Sequence, residues 1–352
     1  MLETAAKDFF GSLDTIKALR EALDNSSELE TMPTLTAELA GMEFLGLIGS
    51  EQYGGSDASL LDLVVIATQA GRFLTADTLV GTSGRAVLLL QAAAEQSPHA
   101  RDLLARTISG DIQVSVLEAG DLRFDGATVS GHLRPGLNAL TADVVLTLTE
   151  FEDRPSVVAV DKRSLAVEPG RSFDPSRGIG RLLAADAPAT ILFSGPPAQA
   201  AWEDAFDAAR VLLAAQDLGT TIEALSRARD YALTRQAFGR TIGSFQAIKH
   251  ALVDVYVAQE QLRSLVWLAA WAHDFRPAEA RLYSAAAAAY ASETVEFAAV
   301  TLINVHGGIG YTWEHDAHLF WRRAMVDKSL LGTASVNRDE VATLLIEGRA
   351  GA

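Results

Sequence analysis

Thr234-Arg-Gln-Ala-Phe-Gly-Arg-Thr-Ile-Gly-Ser-Phe-Gln246 lies between two long helical patterns and combines arginine, aromatic, glycine and amide side chains. Gly239 and Gly243 punctuate it as a loop, because glycine accepts turns that other residues resist. Arg235 and Arg240 offer forked, charge-assisted donors suited to a phosphate or a carboxylate. Phe238 supplies a face that can lie against a ring. Taken alone, the stretch also fits a solvated turn between helices.

On either side the pattern is helical. Residues 200–233 form one long Ala/Leu-rich run, interrupted by Gly219. Residues 250–274 carry Leu252, Val255, Leu262, Val266 and Ala269 as an apolar stripe. Arg276-Pro277 breaks that run, and residues 278–300 form a third. After Leu302-Ile-Asn-Val-His-Gly-Gly-Ile-Gly-Tyr-Thr-Trp-Glu-His-Asp316, a helix over 318–330 follows. Long antiparallel helical hairpins build a four-helix bundle.

Upstream the period changes. Ile112, Val114 and Val116 alternate with polar residues, as in a half-buried strand. Phe124-Asp-Gly-Ala-Thr-Val-Ser-Gly131 reads as a hairpin turning at Asp125-Gly126. Val144-Val-Leu-Thr-Leu148, Val157-Val-Ala-Val160 and Thr190-Ile-Leu-Phe193 are short buried strands. Several such strands between Gly/Pro punctuation predict a small β-barrel or sandwich.

Residues before about 110 return to helical spacing. Phe9, Phe10, Leu13, Ile16, Leu19 and Leu23 share one pattern, which Asn25-Ser-Ser27 breaks, and Leu35, Leu39 and Met42 begin another. Gly46-Leu-Ile-Gly-Ser-Glu-Gln-Tyr-Gly-Gly55 is a glycine-rich loop, and Asp57 is the expected N-cap of a helix from Ser59. The Walker Lys-Ser/Thr pair is absent and no strand precedes, so it is not a phosphate loop. Helices over 83–96 and 100–108 close the block. The expected fold is mainly α with a β middle domain: a helical domain over 1–110, a β domain over 111–199 and a helical bundle over 200–352.

Composition narrows the function classes. The chain has 352 residues, 49% hydrophobic and 21% charged, which describes a globular protein with a real core. A formal net charge of −16 argues against nucleic acid or an anionic membrane surface as a partner. Local arginines would have to hold any anionic cofactor against that field. Without cysteine there is no thiol catalysis, thiolate metal site or disulfide. Met1-Leu-Glu-Thr-Ala-Ala-Lys7 lacks a basic region followed by an apolar run, and no uninterrupted apolar run reaches membrane-spanning length, so a cytoplasmic location is expected. His315 and His318, with Glu314 and Asp316 beside them, lack the zincin arrangement, and turn or capping roles suit them better. No Gly-x-Ser-x-Gly elbow supports a Ser-His-Asp hydrolase.

Arg235-x-x-Phe238-Gly239 followed by Phe245-Gln-Ala-Ile248 resembles the C-terminal domain of flavin-dependent acyl-CoA dehydrogenases. His306-Gly-Gly-Ile-Gly310 with Tyr311-Thr-Trp-Glu-His-Asp316 is similar to that family's second signature, and residues 45–72 resemble its Leu-Gly-Leu … Glu-x-Tyr-Gly-Gly … Gly-Arg entry segment. The resemblance spans nearly the whole chain and is most specific over 210–323. It implies α,β-desaturation of an acyl-CoA thioester with FAD. It also implies that Arg235, Phe238, Gly239, Gln246, Asn304, Gly307 and Gly308 contact the pyrophosphate and adenine half of a neighbouring subunit's FAD. Asn304 stands where the family usually has a Gln, so the amide is kept with shorter reach.

Two departures from the family pattern matter. Its carboxylate base sits either in a Tyr-Glu-Gly-Thr segment or on the first helix of the C-terminal domain, and here those positions hold Leu331 and Ala209. Neither takes a proton. The cis flavin segments are altered as well, to Val116-Leu-Glu-Ala-Gly-Asp121 and His132-Leu-Arg134. The resemblance is therefore to the short, base-less subunits of bacterial heteromeric acyl-CoA dehydrogenases, which pair with a homologous catalytic subunit in a hetero-oligomer. Two alternatives remain: a self-sufficient homo-oligomer with a relocated base, or a structural paralogue binding neither FAD nor CoA. Asp204, Asp207 and Asp217 read as helix-surface carboxylates, with Asp207 the first candidate for a displaced base.

Overall fold

The computed structural model describes residues 1–24, 35–168, 170 and 172–348. The expected break at Asn25-Ser-Ser27 falls outside them. Helices α1 (Leu2–Gly11), α2 (Thr15–Asp24), α3 (Thr36–Gly41), α4 (Leu60–Arg72), α5 (Val87–Ala94) and α6 (Pro98–Ile108) come first. Strands β1 (Val114–Val116), β2 (Arg123–Phe124), β3 (Thr128–Gly136), β4 (Val144–Phe151), β5 (Arg154–Asp161), β6 (Leu165–Glu168) and β7 (Gly180–Ser194) follow. The chain then returns to helix in α7 (Pro196–Thr234), crosses a two-stranded hairpin, β8 (Gln236–Ala237) and β9 (Arg240–Thr241), and ends in α8 (Gln246–Phe275), α9 (Pro277–His306), α10 (Ala317–Asp327) and α11 (Ala334–Ile346). This is the expected helix–strand–helix order. No doubly wound parallel sheet occurs among the described residues. The last helix, α11, was not foreseen.

Two compact units form. One comprises residues 17–63 and 76–209. Its sheet runs β1-β4-β5-β7-β3-β2, with β6 also paired to β7, and only β1–β4 is parallel. Strand β7 changes partners along its length: residues 180–188 pair with β3 and β6, and residues 189–194 pair with β5. Asp186, at positive φ and bonded to the Ser130 hydroxyl at 2.7 Å, marks the bend. Alternation sorts side chains into two cores. Val157 and Ala159 of β5 join Leu90, Leu103, Leu104 and Trp202 of the helices, while Val158 and Val160 join Leu133, Val145 and Leu182 within the sheet.

Several local expectations change. β1 is buried on both faces, Ser115 included, because a core lies on each side of it, so the half-buried reading fails. The hairpin at Asp125-Gly126 forms, with Asp125 accepting the Ala127 and Thr128 amides at 2.9 and 2.7 Å. Asp57 does not cap α4. Its backbone is at positive φ and its carboxylate takes the Glu51 amide, while Ser59 and Asp62 cap each other reciprocally. The helix expected from residue 83 begins earlier, as a buried π-helical stretch over Leu79–Ala86, a geometry that recurs near functional sites.

The other unit comprises residues 1–16, 64–75 and 210–352. Gly219 does not interrupt α7, which runs unbroken for 39 residues. Instead α4 and α7 cross there backbone to backbone. A Cβ at Gly71 would stand 1.9 Å from the Gln216 carbonyl oxygen, and one at Gly219 would stand 1.9 Å from that of Thr68. The Thr220 hydroxyl donates to the Gly71 carbonyl across this crossing at 3.1 Å. The buried Arg323 guanidinium of α10 donates to the Thr75 carbonyl at 3.0 Å. By length and composition Pro277–Tyr311 is apolar enough to cross a membrane, although its apolar residues form no uninterrupted run of that length; 61% of its most apolar 18 residues are buried within the protein.

In an open helix Gly71→Ala would gain up to about 1 kcal/mol. Here overpacking reverses the sign, and we expect a loss of about 2–3 kcal/mol, read from urea unfolding.

Candidate functional site

The end of α7 turns through β8–β9, a four-residue hairpin whose central residues, Phe238 and Gly239, both take positive φ (52° and 77°). That combination suits a primed turn, but an aromatic residue there is strained by about 1–3 kcal/mol. Phe238 is also 95% exposed, so no core packing explains its presence. Its ring meets Phe245 edge-on at 6.3 Å, and the Arg240 guanidinium covers Phe245 at 4.0 Å. Arg235 is exposed, and among the described residues its guanidinium has no ion pair or hydrogen bond. Gln246, the first residue of α8, is exposed with its amide equally uncommitted.

The second glycine motif lies at the same end of the bundle. Tyr231, one turn before the hairpin, stacks on His306 at 4.1 Å, and His306 meets His315 at 4.3 Å. Past His306, Gly307 ends α9 at φ 66°, ψ −140°, a conformation reserved for glycine. A Cβ on Gly307 or Gly308 would meet nothing within 4 Å, so this backbone is open to approach. The exposed Asn304 sits one turn earlier, its amide without a partner among the described residues. His315 accepts the Ala317 amide at 3.1 Å, and His318 stacks on Trp313 at 4.8 Å.

The segments expected on the cis side of a flavin are closed on themselves. Glu118 pairs with Arg85, whose buried guanidinium also donates to the Val116 carbonyl at 3.1 Å and lies over the rings of Trp202 and Phe206 at 4.8 and 5.2 Å. Asp121 accepts the His132 amide at 2.7 Å and faces its ring at 3.1 Å. The backbone bond first and then the ring hold the Asp121 carboxyl below the usual carboxylate range. Glu168 lies 3.6 Å from the other ring nitrogen of His132.

Neither position expected to hold the base carries a proton acceptor. Ala209 is fully buried. Leu331 is half-buried and held at φ 51° in a tight turn, its carbonyl accepting from Arg210 Nε at 3.2 Å. The surface reading of the nearby aspartates is corrected: Asp207 and Asp217 are 7% and 2% exposed, because each falls on the apolar side of α7, and only Asp204 faces water.

Comparison with known proteins places this geometry. The profile described as "Acyl-CoA dehydrogenase, C-terminal domain" matches residues 200–346. Acyl-CoA dehydrogenase IpdE2 of Mycobacterium tuberculosis is 32% identical over 285 residues, 81% of this chain and 78% of that protein. The chain belongs to the acyl-CoA dehydrogenase family. Among solved structures, the "Tcur3481-Tcur3483 steroid ACAD G363A variant" has a TM-score of 0.85 at 27% identity, covering 99% of this chain and 98% of that one. The ChsE4-ChsE5 complex from Mycobacterium tuberculosis shares the fold, with a TM-score of 0.85 at 24% identity over 98% of this chain and 96% of that one.

Sequence reading missed a charged clamp beneath the base-position turn. Arg210, 5% exposed at its side chain, bonds Glu340 of α11 at 2.7 Å, and Glu340 also bonds Arg281 of α9 at 2.6 Å. Burial pushes the Glu340 carboxyl up, but the bonds and charges of Arg210 and Arg281 outweigh it and hold the carboxyl below its usual range. A carboxyl whose folded pKa is depressed adds stability above its unfolded value and loses it as pH falls through the folded one. The thermal midpoint of the native chain therefore falls in acid more than that of Glu340→Gln, and the two curves converge there. At neutral pH Glu340→Gln costs about 3 kcal/mol, because Arg210 keeps its buried charge without that carboxylate.

Proposed function

We propose that this chain is the base-less partner in a hetero-oligomeric acyl-CoA dehydrogenase, completing a neighbour's FAD site while a homologous subunit carries the base. The observation that carries this reading is the uncommitted edge at one end of the bundle: Arg235 without an ion pair among the described residues, Phe238 strained and exposed, and open backbone at Gly307 and Gly308. An anionic dinucleotide suits that edge, with Arg235 on the pyrophosphate, Phe238 against a ring, and the amides of Gln246 and Asn304 within the same site. Bound FAD supplies the acceptor for the hydride that leaves the β-carbon of the thioester. Removal of the α-proton needs a positioned acceptor, worth about 10²–10⁴-fold, which Leu331 and Ala209 do not provide. The likeness to a steroid acyl-CoA dehydrogenase at 27% identity favours a bulky polycyclic acyl chain over a straight one.

A second reading has one observation behind it. Asp207 is buried, as a relocated base in a dry pocket would be, which favours a self-sufficient homo-oligomer. Turnover of a panel of acyl-CoA thioesters, with an external electron acceptor, separates the two. The chain alone is expected to be inactive and to gain turnover only with its partner. Robust turnover by the chain alone, abolished in Asp207→Asn, would replace the first reading with the second.

Flavin retention tests the edge itself. Arg235→Ala is expected to weaken it about ten- to hundred-fold in the assembled complex, the equivalent of about 1.5–3 kcal/mol. Arg235→Lys restores only part, since the fork is lost. Phe238→Gly should raise the chain's own unfolding stability by about 1 kcal/mol through relief of the left-handed backbone, while lowering flavin retention. Unchanged flavin content in Arg235→Ala would end the assignment.

A further inference from the structure

In the sheet-bearing unit, a half-open cleft of about 620 Å³ separates α6 from the start of β4, the end of β5 and the middle of β7. That volume lies in the range of small-molecule sites. Its walls mix apolar surface, from Leu103, Ile112 and Pro188, with the cationic side chains of Arg106 and Lys162 and the imidazole of His99. Three aspartates also line it, and each is engaged elsewhere. Asp161 pairs with Arg163 at 2.6 Å, Asp143 accepts the Gln113 amide at 2.8 Å, and Asp111 accepts the Ser109 hydroxyl at 2.7 Å.

Lys162 differs from the chain's other four lysines. Lys17 and Lys328 form ion pairs with Glu21 and Glu296, and Lys7 and Lys249 are exposed to water. Lys162 alone is half-buried against a cleft with no ion pair or hydrogen bond to its ammonium among the described residues.

We propose that Lys162 is an acyl-acceptor site for acyl-CoA thioesters seated in this cleft. The free amine attacks the thioester carbonyl, an amide bond forms as the carbon–sulfur bond breaks, and the amine's proton leaves with the thiolate as free CoA thiol. No oxidant or further reagent is needed. Two features of the cleft suit the reagent: Arg106, paired through one nitrogen with the exposed Asp102 at 3.5 Å, offers its remaining donors to the phosphates, and the apolar wall accepts the uncharged arm. Burial lowers the pKa of Lys162, so more of it is free amine at neutral pH than of a solvated lysine. The groups facing it are His99, Arg106 and Asp111 from the α6 side, Asp143 before β4, and Asp161 and Arg163 beside it.

The test is incubation of the full chain with acetyl-CoA, followed by peptide mass spectrometry of each lysine. Lys162 is expected to acylate about threefold or more faster than Lys7 or Lys249 at neutral pH, the advantage shrinking in alkali as solvated lysines also lose their protons. Lys162→Arg, with an unchanged circular dichroism spectrum, should remove that adduct and leave the others. Arg106→Gln should slow reaction with acetyl-CoA and not with acetyl-N-acetylcysteamine, a thioester without phosphates. Equal rates at Lys162, Lys7 and Lys249 would overturn the site, and equal slowing of both reagents in Arg106→Gln would overturn seating through the phosphates. None of these readouts involves flavin, so their failure leaves the proposed partner role standing.

Discussion

Helices α4 and α7 meet where neither can carry a side chain. At Gly71 and Gly219 the carbonyl oxygens of Gln216 and Thr68 occupy the space of a Cβ. Such an approach fixes the register of α7 against α4, since sliding either helix by one residue drives a side chain into backbone. Everything the bundle presents depends on that register. Arg210 beneath the Leu331 turn and Tyr231 beneath the hairpin both lie on α7, and 1.5 Å of rise per residue would displace each from its partner. The glycine that looked like an interruption of the helix is what positions it.

The order of helical and strand blocks was legible because it rests on periodicity, which the chain keeps in all three blocks. The turn at Asp125-Gly126 and the break at Arg276-Pro277 were legible for local reasons, left-handed backbone at the one and a fixed φ with no N–H at the other. What failed depended on what lies across from a residue. β1 alternates in sequence yet is buried on both faces, because a second core forms behind it. Asp207 and Asp217 look like surface carboxylates on an Ala-rich helix, and only the packing around α7 buries them. Helix α11 eluded the apolar pattern because its attachment is partly ionic, through Glu340. One clue was available for Arg85: a guanidinium inside an otherwise uncharged stretch over 79–94 signals a buried partner.

The candidate flavin edge and the cis segments differ in how their polar groups are spent. Arg235, Gln246 and Asn304 keep their side-chain groups unengaged at the surface, beside an aromatic held in a strained turn. Strain of that kind persists where the surroundings or a ligand over-determine it. By contrast, Glu118 is paired with Arg85, and Asp121 with His132. Opening the second group to a ligand means breaking a pair whose guanidinium is buried, at a cost of about 3–5 kcal/mol before anything is gained. The first group costs nothing to open. That asymmetry is the ground for the proposed role, in which the chain gives to a neighbour's cofactor and holds none in cis.

The Arg210 clamp extends the same logic to the turn at Leu331. A base there would be a second carboxylate near Glu340, competing for the guanidinium that holds the turn's carbonyl and α11 together. With leucine in place, Arg210 serves Glu340 in this clamp, and the turn, with Leu331 at positive φ, is held through its carbonyls by the side chains of Arg210 and Asn337. On the proposed reading, the turn is a structural element that needs no acid–base group. A Leu-Gly-Thr turn with no carboxylate is intelligible on that ground: Arg210 ties the turn and α11 to the bundle whether or not a proton is moved there.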